Sequence, residues 1–108
     1  MNDLDKLIRL TAKHYRFDAK TYPELEGAGY SKMMRFAIRH SGIHFAKTAG
    51  KVIAVSEKAD HGEPMDFDSL KENIPKSIVN ALRLAELVGM NGSDIVKAVE
   101  EQYKDKIE

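Results

Sequence analysis

The thirty residues from Ser31 to Asp60 contain no proline, and their apolar side chains recur at helical steps. Met34, Ile38, Phe45, Ala49 and Val52 follow one another by three, four or seven positions. That is one face of a 3.6-residue helix, with no sign of the period of two that a strand requires. A helix of this length reaches about 45 Å, so the chain must fold as a helical assembly around it. A second row, Phe36, Ile43, Ala46 and Ile53, widens the apolar arc. The helix is therefore expected to bury more than one side, with Ile43, Phe45 and Ala49 inside. Gly42 and Gly50 each cost about 1 kcal/mol relative to Ala in a helix interior. They permit close approach of another helix or, at Gly42, a bend. Ser31 is the expected N-cap, and His61-Gly62 the expected stop, with Pro64 beyond.

The remaining segments read as helices too. Asn2 or Asp3 caps a first helix with Leu4, Leu7, Ile8 and Leu10 to Thr11 on its apolar face, fading near Arg16. Tyr22-Pro23 and Gly27-Ala28-Gly29 mark a loop or arm. Asp66 and Asp68 lead to Ser69-Leu70-Lys71-Glu72, which has the form of a capping box. Pro75 then kinks this third helix or starts a new one. The run Ile78, Val79, Ala81, Leu82, Leu84, Ala85, Leu87 and Val88 is densely apolar, with Gly89 as its C-cap. Ser93 is expected to cap a last helix through Ile95, Val96 and Val99 to about Lys106. The expected fold is all-α, a four- to five-helix bundle with a central antiparallel pair. It forms one domain, residues 1–29 making an N-terminal helix and arm and residues 30–108 the core.

Composition excludes several classes of function. The 108 residues contain no run of about 18 apolar side chains, so no membrane span is expected. The opening MNDLDKLIRL is acidic and amphipathic, unlike a secretory signal. There is no cysteine, which removes disulfides, thiolate catalysis and Zn–Cys or Fe–S sites and fits a reducing cytoplasm. No Walker loop, G-x-S-x-G or H-E-x-x-H occurs. The formal net charge is zero, but it is divided: +5 through Lys51 and −5 from Val52 onward. No acid lies between Glu26 and Glu57, whereas Lys32, Arg35, Arg39, Lys47 and Lys51 do. A basic helix can meet phosphates. It can equally pair with the acidic half, within the chain or across an oligomer.

Two polar groups carry potential chemistry. His40, His44, Lys47 and Lys51 are spaced four, three and four, so they share one helix face. Crowded cations repel unless solvated or given an anion, which makes this stripe a candidate phosphate site or a solvated face. Glu57, Asp60 and His61 share a face as i, i+3 and i+4 and offer oxygen and nitrogen ligands to a divalent ion. They equally make an ordinary acidic helix end, although the macrodipole disfavours acids there.

The helix Lys76-Ser77-Ile78-Val79-Asn80-Ala81-Leu82-Arg83-Leu84-Ala85-Glu86-Leu87-Val88-Gly89, followed by Ser93-Asp94-Ile95, resembles the C-terminal half of MazG-like all-α nucleotide pyrophosphohydrolases. Upstream, Lys47-Thr48-Ala49-Gly50-Lys51-Val52-Ile53-Ala54-Val55-Ser56-Glu57-Lys58 resembles the other helix of that family's core hairpin. The resemblance spans roughly Ser31 to Lys104. It implies an enzyme that splits nucleoside triphosphates into monophosphate and pyrophosphate with Mg²⁺ or Mn²⁺ held by carboxylates from an E-E-x-x-E-like motif and an E-x-x-D motif. Hard divalent cations need such oxygen ligands. In this sequence those motifs fall on Lys47-Thr48-Ala49-Gly50-Lys51 and on Asn73-Ile74-Pro75-Lys76. Every expected carboxylate is missing, and Lys47, Lys51 and Lys76 stand at three ligand positions. An ammonium group donates only and repels a cation.

The expectation is a non-catalytic domain of this fold, with no cofactor, whose cleft takes a nucleotide or other phosphate-bearing ligand on His40, His44, Lys47, Lys51, Lys76 and Arg83. The alternative is an active Mg- or Mn-dependent pyrophosphohydrolase with a relocated site at Glu57, Asp60 and His61. Nucleic-acid binding is the weakest reading, because only one stripe of the long helix would remain free. The wide apolar arcs and the resemblance both imply a homodimer or homotetramer.

Overall fold

The structure, a computed structural model, describes residues 2–106. Four helices account for most of them: α1 (Asp3–His14), α2 (Tyr30–Asp60), α3 (Phe67–Leu87) and α4 (Gly92–Tyr103). No strand occurs among the described residues. A short 3-10 turn at Pro23–Leu25 lies in the arm between α1 and α2.

Local sequence sets each boundary. Asn2 and Asp5 cap α1 reciprocally: Asn2 Oδ1 accepts from the Asp5 N–H at 3.0 Å, and Asp5 Oδ2 from the Asn2 N–H at 3.2 Å. Asn91 and Asp94 repeat the device on α4. Ser93 therefore lies in the first turn rather than at the cap, and the helix ends at Tyr103, short of the expected Lys106. Gly29, in extended conformation, precedes α2, so Ser31 is not its cap either. Its hydroxyl accepts from Arg35 Nη1 at 3.0 Å instead. Asp66 caps α3 by accepting from the Ser69 N–H at 3.0 Å. This starts the helix earlier than a Ser69 box would, and frees Glu72 to meet Lys76. Pro75 sits inside one continuous α3. Both long helices end as expected. Gly62 and Gly89 take positive φ of 93° and 77°. The following Glu63 and Met90 N–H groups reach back to the Lys58 and Ala85 carbonyls, closing Schellman turns.

α2 packs on α3, α3 also on α1, and α1 on α4. The face that α2 turns to α3 is not the expected apolar row. It runs through Ala37, Ser41, Thr48 and Val55, all buried. Small side chains let the two backbones approach, and Asn80 of α3 donates through Nδ2 to Thr48 Oγ1 at 3.0 Å and to the His44 carbonyl at 3.3 Å. The predicted interior positions lie outside: Ile43 is 61% exposed, Phe45 37% and Ile53 64%, and Ala49 is exposed as well. One helix cannot cover two rows a quarter turn apart, and the row with hydrogen-bonding partners is the one covered. The result is a flat slab of 51 × 39 × 21 Å. Its thickness equals about two helix diameters.

Candidate functional site

The arm, α2 and α3 enclose a cleft of about 540 Å³. All six residues expected to take a phosphate line it: His40, His44, Lys47 and Lys51 from α2, and Lys76 and Arg83 from α3. The spacing of the first four puts them on one side of α2, and Asn80 fixes α3 beside them through Thr48. No acidic side chain is among the lining residues. The nearest carboxylate partner on a lining cation is Glu72, whose Oε1 is 3.2 Å from Lys76 Nζ in an exposed i, i+4 pair.

Arg83 is the most constrained of these cations. It is buried, and its Nε and Nη2 have no hydrogen-bond partner. Its guanidinium lies 4.5 Å from the Tyr15 ring centroid and 5.1 Å from that of Phe17. Cation–π contacts offset part of the desolvation, but unpaired N–H donors in a buried position are costly until an acceptor arrives.

The histidines form a contact pair. His40 Nε2 is 3.2 Å from His44 Nε2 and 3.2 Å from the Tyr22 hydroxyl. The short Nε2 to Nε2 approach accommodates one proton, so one ring donates and the other accepts. Burial holds the His40 pKa below its usual value, and the charges of His44 and Arg83 push it the same way, with Glu24 opposing. His40 is thus held toward the neutral form, which the cationic cleft around it favours.

The arm contributes what the sequence reading missed. Phe17 stacks on Tyr22 at 5.6 Å, Tyr22 meets Phe36 at 5.1 Å, and Phe36 stacks on His40 at 5.6 Å. The arm is held in this pose by its own turn, in which Asp18 Oδ1 accepts from the Thr21 N–H at 2.9 Å, and by the buried Leu25. Three aromatic residues within eight positions, Tyr15, Phe17 and Tyr22, were the available signal. Beside the cleft, across Tyr15, Pro75 and Val79, lies an apolar groove of about 630 Å³ between α1 and α3, floored by Leu7, Leu10 and Ile78.

Glu57, Asp60 and His61 stay together at the C-terminal end of α2, exposed and not among the cleft's lining residues. No group of three or more His, Asp or Glu side chains poised to hold a metal ion occurs among the described residues. The cleft lining offers ammonium, guanidinium and imidazole groups and no carboxylate, the oxygen donor that Mg²⁺ favours. Among the described residues no helix is long and apolar enough to cross a membrane. No protein family, curated protein or solved structure matches the chain.

Proposed function

We propose that the chain is a non-catalytic MazG-like helical domain that binds a nucleotide or other phosphate-bearing ligand in its cationic cleft. The observation that carries this reading is the convergence of Lys47, Lys51, Lys76 and Arg83 on one acid-free cleft, with two buried Arg83 donors unpaired. A phosphate supplies several acceptor oxygens and a charge that offsets the mutual repulsion of the lysines. The adjoining apolar groove suits the uncharged part of such a ligand. In this reading α2 and α3 are the antiparallel core pair of the fold, and lysines have replaced the metal-binding carboxylates. The cleft needs no metal. The domain works as a homodimer or homotetramer, which the exposed apolar side chains of α2 support.

Titration calorimetry with pyrophosphate and with nucleoside mono- and triphosphates tests the site. Binding is expected for at least one, weakened roughly ten-fold or more in Lys47→Ala/Lys51→Ala, as loss of two charge-assisted contacts implies. Pyrophosphate release with Mg²⁺ or Mn²⁺ is expected to stay at background. Absence of binding to every probe refutes the ligand reading, and turnover abolished by Glu57→Ala or Asp60→Ala would establish the catalytic one instead.

A further inference from the structure

A second face of α2 is uncovered and organised. Ile38, Gly42, Phe45, Ala49, Val52 and Ser56 are separated by four, three, four, three and four positions. That is the 3.5-residue period of a helix-pairing seam. At about 100° per residue it lies roughly a quarter turn from the strip covered by α3, and about 150° from the cleft-lining side chains. Ile38 is 43% exposed, Val52 is half-buried, and the rest of the seam is exposed.

We propose that this seam docks a second copy of the chain, with the two α2 helices antiparallel. The inference names the surface of the assembly suggested above and does not depend on what the cleft binds. Three observations favour a second copy over another occupant. First, the seam is self-complementary. A two-fold axis between Phe45 and Ala46 sets Gly42 against Ala49 within the seam, and sets Ile38 and Phe45 against Ile53 and Ala46 on its flank, matching bulk with bulk or with space. A Cβ at Gly42 would meet nothing within 4 Å inside the chain, so intrachain packing does not account for this glycine. Close approach of another backbone does.

Second, the charges are self-complementary. Lys32, Arg35 and Arg39 flank one end of the seam, and Glu57 and Asp60 flank the other end on the same side. None of the five has an ion-pair partner among the described residues. An antiparallel partner brings base to acid at both ends, whereas a parallel one stacks base on base. Third, the slab is expanded. Its radius of gyration is 17.0 Å, against about 13 Å for a compact chain of this length.

Mass measurement by light scattering on the full chain tests the proposal. The wild type is expected at twice the 12.2 kDa chain mass or a higher even multiple. Ala49→Glu is expected to halve it while leaving helical circular dichroism and pyrophosphate affinity unchanged. Arg35→Glu should weaken association by roughly ten-fold, because symmetry counts each change twice, and Arg35→Glu/Glu57→Arg should restore it. The chain has no native cysteine, so introduced thiols report the register directly. Ile38→Cys/Ile53→Cys should cross-link between copies. Ile53→Cys alone should not, since its two copies stand about 22 Å apart. A monomeric wild type, an unchanged mass in Ala49→Glu, failure of the charge swap to restore association, or cross-linking by Ile53→Cys alone each overturns the proposal. A monomer that still binds pyrophosphate would remove the seam and leave the cleft.

Discussion

Gly92 shows how much one side chain decides. It is buried at the start of α4, and its N–H donates to Asp5 Oδ1 at 2.7 Å. A Cβ there would stand 2.9 Å from the Asp5 nitrogen and collide with the Asn2 side chain that caps α1. Gly92→Ala is expected to lower stability by about 1–3 kcal/mol, an overpacking cost read from urea or thermal unfolding. The same hydrogen bond is the first cause that lowers the Asp5 pKa, with the Asn2 N–H second. At His40 the depressed pKa sets the sign of the pH dependence. The unfolded ring takes a proton near pH 6.5, while the folded ring resists until lower pH, so stability is full above that value and falls as pH drops through the window below it. Anion binding favours the protonated ring and acts oppositely on affinity. Sulfate, whose charge is constant over this range, should bind more tightly at about pH 5.5 than at about pH 8. His40→Gln should flatten that gain, as calorimetry at the two pH values would show.

At the scale of elements, the α2–α3 contact is narrow and polar, and this is where sequence and structure part. Helix identity and both Schellman ends were legible, because Gly62 and Gly89 have few other uses at the ends of periodic runs. That His40, His44, Lys47 and Lys51 stay together was legible too, since residues on one helix face do so wherever the helix goes, whereas Lys76 and Arg83 join them only through the packing of α3 on α2. Which face α3 covers was not. Periodicity ranks faces by hydrophobicity, whereas this pairing depends on the short reach of Ala37 and Ser41 and on the Asn80 to Thr48 hydrogen bond, neither of which a count of apolar side chains weighs. Asn2 caps α1 as expected, but the cap choice failed at α3 and α4 for a related reason. Asn91 and Asp66 compete with Ser93 and Ser69 for the same role, and the better acceptor one or more residues upstream wins. The contact also contains a flaw. Ser41 Oγ is fully buried without a partner. Ser41→Ala is expected to leave stability unchanged or raise it by about 1 kcal/mol, measured by urea unfolding at constant m-value.

For the whole molecule, the shape is the dominant fact. Six apolar side chains are buried among the described residues, while large apolar side chains on all four helices remain open. A slab two helices thick cannot enclose a larger core. If copies associate through α2, folding and association are linked, and the midpoint of thermal unfolding should rise with protein concentration, which calorimetric scans across a dilution series would detect. A further consequence concerns the order in which the chain can settle. The Asp5 to Gly92 hydrogen bond joins positions 87 residues apart. The α2–α3 contact can form as soon as its own residues are present, but α1 gains its hydrogen bond to Gly92 only when α4 arrives. During synthesis the N-terminal helix is thus the first element made, and although it can rest on α3 early, it receives its last contact only at the end. A chain cut after Gly89 would keep the cleft's walls but leave α1 held by α3 alone.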